Sequence, residues 1–225
     1  SHPAARVLVT IREEDWVRAT GVRASFSFTE VEITLEESDA RQIYSGLSET
    51  MPSPLVLDFD EAWERFGGKG PLLEFAYLLT QRETLEARLQ QQVDFLHDEV
   101  RAGRLQPVEL QLLRLVSIAS EFGGRLDLGA LQRALSLPAP SRTLSLFEKE
   151  YLLRVSNEGL LLEGLHPVRS AILVKLLTDP LFASWSELAT ETLPFLAEED
   201  LEVFLLFAFS RHPEARAGLQ EALTR

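Results

Sequence analysis

The chain has 225 residues, 45% hydrophobic and 25% charged, the make-up of a folded protein with one large or several small cores. Its 22 Lys and Arg stand against 35 Asp and Glu, a net charge of −13. So acidic a chain lacks the surplus of cations that holds nucleic-acid backbones regardless of sequence. There is no cysteine, which excludes disulfides, thiolate metal sites and thiol chemistry and fits a reducing cytoplasm.

The longest notable apolar run, residues 203–209, falls far short of the roughly 18 residues of a membrane span. No cationic start leads into an apolar stretch, as a signal peptide would require. His2, His97, His166 and His212 never fall at the i, i+4 spacing of a helical zinc pair. The expectation is a soluble, cytoplasmic chain with no membrane partner and no metal site of its own.

In chain order, Val7-Leu8-Val9-Thr10-Ile11 is unbroken and β-branched, which predicts a strand buried on both faces, as in a parallel sheet. A second strand is predicted over 26–35, with Phe26, Phe28, Ile33 and Leu35 as its apolar members. So little sheet around a doubly buried strand points to a fragment of a larger protein. From Glu36 the spacing turns helical, with Ala40, Ile43, Tyr44 and Leu47 on one face, until Met51-Pro52-Ser53-Pro54 breaks it. A short helix is predicted over 59–66, ended by Gly67-Gly68-Lys69-Gly70. Pro71 is suited to open the next helix, with Leu72, Phe75, Ala76 and Leu79 apolar. A long helix over 84–102 carries Leu85, Leu89, Val93, Leu96 and Val100 on one stripe and stops at Gly103.

A different rhythm follows. Residues 107–121 read as a helix with Leu110, Leu113, Val116 and Ile118 apolar, then come a Gly123-Gly124 break and a short helix over 128–135. Another helix over 141–151 runs into a strand over 152–156, a turn at Asn157-Glu158-Gly159 and a returning strand over 160–165. Three helices and then a hairpin is the winged-helix order. After Pro167 the chain is helical to Leu177, and three more helices, punctuated by Pro194 and Pro213, fill the tail like the start of a helical array.

The residues offer no complete active site. Gly67-Gly68-Lys69-Gly70 follows a helix and lacks the Gly-Lys-Ser/Thr ending of a phosphate loop. Glu13-Glu14-Asp15 cannot point one way on a helix, and acids suit a first turn anyway. The would-be recognition helix sets Arg142 and Lys149 against Glu148 and Glu150, and the wing sets Arg154 against Glu158 and Glu163. Duplex DNA is therefore not an expected partner.

With these residues laid out, the order resembles the signal-transduction ATPases with numerous domains, the STAND class of P-loop NTPases related to NOD-like receptors, plant disease-resistance proteins and bacterial defence regulators. Three motifs carry the resemblance. Val7-Leu8-Val9-Thr10-Ile11-Arg12 is similar to the late core strand that ends in a Thr-x-Arg sensor, with Thr10 and Arg12 its members here. Gly70-Pro71-Leu72 looks like the element that opens the lid helix beside the adenine. Leu165-His166-Pro167 falls where the family has Met-His-Asp, whose histidine contacts the diphosphate of ADP. Pro167 in place of Asp removes hydrogen bonds that hold that loop, and Arg169 and Ser170 lie one turn further on.

The resemblance implies a mainly α chain with minor β: the end of a nucleotide-binding core (1–50), a helical lid (51–104), a winged-helix domain (105–180) and the start of a helical region (181–225). It implies the switch portion of a nucleotide-gated ATPase, inactive alone, because Walker A and Walker B would lie in a missing N-terminal nucleotide-binding region. ATP or ADP with magnesium would bind the full-length parent, which would work as a homo-oligomer in its active state. The competing reading is a helical and winged-helix interaction or transcription-regulator module with no nucleotide role.

Overall fold

The computed structural model describes residues 35–50, 57–156, 160–179 and 183–224, with single positions at 9, 11, 16, 19, 25, 27 and 29. The described residues are mainly helical, with one small three-stranded antiparallel sheet. Thr10, Arg12, the acidic run 13–15, the break at 51–54, the turn at 157–159 and nearly all of the predicted strand at 26–35 lie outside them. Val9 and Ile11 are 67% and 45% exposed. That departs from the burial on both faces expected of a parallel strand, whose residues 7, 8 and 10 lie outside the described residues.

Helices α1 (Glu37–Thr50), α2 (Phe59–Phe66) and α3 (Leu72–Gln81) close around one aromatic cluster. Asp58 starts α2 by accepting from the Glu61 N–H at 2.9 Å, and Gly67 stops it in the left-handed region at φ 73°. The Phe75 ring lies 5.9, 5.6 and 5.5 Å from those of Phe59, Trp63 and Phe66, edge-on or tilted as ring quadrupoles favour. Leu72, expected on the apolar side of α3, is 47% exposed instead. Phe75, Leu78 and Leu79 form the buried face.

Helix α4 (Leu85–Arg101) starts where Thr84 Oγ1 accepts from the Ala87 N–H at 3.0 Å, and it buries the predicted Leu85, Leu89, Val93 and Leu96. Helix α5 (Pro107–Glu121) is the centre of the molecule. Leu112, Leu113, Leu115, Val116 and Ala119 face one core, while Ile118 and Phe122, just past its end, face another. A helix between two cores is apolar nearly all round, which is why the one-faced expectation placed Leu110 inward although it is only half-buried.

After α5 come β1 (Leu126–Asp127), α6 (Leu128–Leu135), α7 (Pro140–Lys149), β2 (Arg154–Val155), β3 (Leu161–Glu163) and α8 (Pro167–Leu177). The sheet order is β1-β3-β2, with Leu126 opposite Leu162 and Arg154 opposite Glu163. Strand β1 was not expected: two residues carry no alternation to read. Helix α7 ends at Lys149 rather than at 151, and Tyr151 turns left-handed at φ 55°, so the hairpin starts two residues later than its apolar pattern implied. Buried Glu109 joins α5 to α7, accepting from Thr143 Oγ1 and from the Gln106 N–H.

The tail folds as α9 (Trp185–Thr192), α10 (Leu201–Arg211) and α11 (Arg216–Leu223), with short 3-10 turns between them. It is clipped to the sheet. Leu196 bridges to Leu126 on the free side of β1, and the Ala197 N–H donates to the Arg125 carbonyl at 2.8 Å. Fully buried Asp200 accepts from the Arg125 N–H (3.0 Å), Nε (2.6 Å) and Nη2 (3.1 Å).

Candidate functional site

The junction from β3 to α8 is built by Ser120, Gly164 and His166. The Gly164 N–H donates to Ser120 Oγ at 2.6 Å, and a Cβ at Gly164 would run into Ser170 Oγ and the Ser120 side chain. His166 is extended, and its Nδ1 accepts from the Val168 N–H at 3.2 Å, which makes the imidazole the cap of α8. The direction of that bond puts the ring proton on Nε2. Pro167 has no N–H, so the imidazole and the proline together remove two of the donors that a helix start otherwise offers an anion. The sequence reading relied on those donors, and the structure reduces them.

Gly70 and Pro71 stand at the start of α3. Gly70 takes φ 149°, and an added Cβ would lie 2.8 Å from the Phe66 ring, so both conformation and space demand glycine here. Pro71 is extended and gives α3 no side-chain cap. The geometry of this pair is accounted for by the turn and by the aromatic cluster beneath it.

The helices that carry these residues come together beyond them. Lys175 of α8 pairs with Glu86 of α4 at 2.7 Å, and Tyr77 of α3 packs on the same core as α4 and α8. At this meeting point Tyr77 lies in the electrostatic field of Arg88 and Arg169. Half-buried Arg169 donates from Nη2 to the Tyr151 carbonyl at 2.9 Å. Its burial, with Arg88 adding to the effect and Tyr77 opposing it, holds its pKa below the ordinary arginine value. Burial likewise raises the Tyr77 phenol, with Glu83 acting in the same direction. Sequence reasoning missed Tyr77 and Arg88. The available signal was a basic residue at the end of the first turn of a helix, where the dipole disfavours it.

The C-terminal end of α7 is tied to α4: Gln92 Nε2 donates to the carbonyl of Glu150, the C-cap of α7, at 2.7 Å. Glu148 accepts from the Val155 N–H, and Arg154 pairs with Glu163 at 2.8 Å. The would-be recognition helix is thus held at its C-terminal end, and the wing cation Arg154 is paired with an acid. A shallow cleft of about 270 Å³ between α4, α5 and the end of α8 is lined by His97, Gln111, Arg114 and four apolar residues.

Among the described residues no cluster of His, Asp or Glu could hold a metal ion, and no helix is long and apolar enough to cross a membrane. No family model, curated protein or solved structure matches this chain.

Proposed function

We propose that this chain is the switch portion of a nucleotide-gated signal-transduction ATPase of the STAND class, in which the ATP or ADP state sets the arrangement of lid and winged helix and, through it, assembly of a homo-oligomer in the cytoplasm. In this reading residues 1–50 end the nucleotide-binding core, 51–104 form the lid, 105–180 the winged helix and 181–225 the start of a helical array. The observation that supports it is the order of elements. Among the described residues, α1 to α4 precede the series α5-β1-α6-α7-β2-β3 with sheet order β1-β3-β2, and His166 stands where β3 passes into the next helix. A ligand that favours one such arrangement shifts a two-state equilibrium by its difference in affinity. Magnesium and the phosphate loop belong to the upstream core in this reading.

One observation favours the second reading, an interaction module without nucleotide: His166 Nδ1 is engaged in capping its own helix. Two tests separate the readings. The coding sequence ahead of Ser1 should encode a Gly-rich phosphate loop and an apolar strand ending in Asp, and a sequence without them removes the nucleotide reading. In the parent protein, His166→Ala should speed ADP release, and His166→Asn, which retains a cap, should not restore slow release. If both variants release ADP at the wild-type rate and His166→Ala only melts lower, by about 1 kcal/mol of cap, the histidine is structural.

A further inference from the structure

We propose that the cleft between α4, α5 and the end of α8 binds a small carboxylate with an apolar body. The inference stands apart from the nucleotide reading and rests on one guanidinium. Arg114 lines the cleft, and its side chain is only 25% exposed. Yet it donates no hydrogen bond among the described residues. Its Nε is buried without an acceptor, and its Nη2 lies 3.8 Å from Glu191 Oε2, beyond hydrogen-bond reach. Glu191 is held by another donor, since Gln111 Nε2 donates to its Oε1. A largely buried donor group left so poorly answered is costly, and folded proteins nearly always supply it an acceptor.

The rest of the cleft selects the kind of acceptor. None of the residues lining it is acidic; Glu191 approaches Arg114 from α9, outside the lining. His97 of α4 adds an imidazole, and Val108, Leu110 and Leu177 supply apolar surface. One planar guanidinium fork matches the two oxygens of a carboxylate, whereas a phosphate asks for more donors than this lining offers. The apolar residues suit a short hydrocarbon body, whose burial adds affinity. At about 270 Å³ the cleft is at the small end of ligand sites, so its occupant is a small acid or the carboxylate end of a peptide. Bound there, the ligand touches α4, α5 and α8 at once.

The test titrates this chain with 4-methylpentanoate at constant ionic strength, following backbone amide resonances by NMR and the melting temperature. The resonances of His97, Leu110, Gln111 and Leu177 should shift saturably and the melting temperature should rise with them. The uncharged 4-methylpentanamide should do neither. N-acetyl-leucine, which imitates a peptide end, distinguishes the sources: tighter binding than 4-methylpentanoate supports the site and assigns it to a chain end, and weaker binding supports the site and assigns it to a free acid. Arg114→Gln should keep the unliganded melting temperature and weaken 4-methylpentanoate at least about tenfold, as loss of a charge-assisted hydrogen bond requires. Exposed His97→Glu, which brings a carboxylate to the cleft and leaves Arg114 in place, should weaken it as well. The proposal is overturned by no saturable shift at millimolar 4-methylpentanoate, by equal binding of the amide, or by binding that survives both variants. It is also overturned if Arg114→Gln and Glu191→Gln each melt well below wild type by the same amount, since Glu191 would then answer the guanidinium by itself.

Discussion

Removing the Asp200 carboxylate should detach the C-terminal helices from the rest of the fold. Asp200 is fully buried and receives three hydrogen bonds from one residue, the Arg125 N–H, Nε and Nη2, at 3.0, 2.6 and 3.1 Å. Asp200→Ala takes the acceptor from the Arg125 N–H and Nε at once and leaves the guanidinium with its exposed partner Glu199 at 3.1 Å. Breaking a buried pair in this way costs about 3–5 kcal/mol, a large part of the roughly 5–15 kcal/mol that holds a domain. Arg125→Ala should cost nearly as much, since it leaves the carboxylate buried with the backbone N–H as its remaining link to that residue. The double variant should lose clearly less than the two singles summed, with a coupling of about 0.5–3 kcal/mol. Urea denaturation reads all three, and limited proteolysis should cut 193–224 first in the singles. Singles within about 0.5 kcal/mol of wild type, or strict additivity, would refute the account of this clip.

Two further outcomes follow from close packing and from burial. Gly164→Ala should cost about 1–3 kcal/mol by overpacking, because its Cβ meets Ser170 Oγ and Ser120; in a Ser170→Ala background the penalty should shrink, and an undiminished penalty would mean that the backbone, not the clash, is at fault. Burial raises the Glu121 pKa above the ordinary carboxylate value, against the opposing effects of His212, Arg211 and the Trp185 N–H. A raised folded-state pKa means that stability is fullest below the unfolded value and is lost as pH rises through the folded one. Glu121→Gln should therefore gain on wild type in melting temperature from pH 4 towards pH 8, and a gap that stays constant with pH would contradict it.

What was legible in the sequence was whatever a single element's own pattern determines. The helices 59–66, 107–121 and 128–135 carry their caps or breakers locally, and the structure places α2, α5 and α6 on those same residues. The misses were matters of partnership. Strand β1 exists because Leu126 has Leu162 on one side and Leu196 on the other, and two residues cannot announce neighbours that lie far along the chain. The second core, where Phe122 meets Trp185 and Phe204 at 5.0 and 5.8 Å, was likewise invisible, because its members come from α5, α8, α9, α10 and α11, far apart along the chain.

The candidate site divides along the same line. His166 was legible as a residue held between a strand and a helix, and its role as a cap follows from that position and from the proline after it. Arg88 carried only the signal of a basic residue in a first helical turn, since on α4 alone it is an exposed arginine on a charged face. What the sequence lacks there is the partner helix: α8 packs on α4, and its Lys175 takes Glu86, an acid from the same turn as Arg88. Local electroneutrality is a property of the assembled surface, and a sequence reports only the sum of its charges. An excess of acid over the whole chain therefore says nothing about how charges are paired at any one junction, such as that of Lys175 with Glu86.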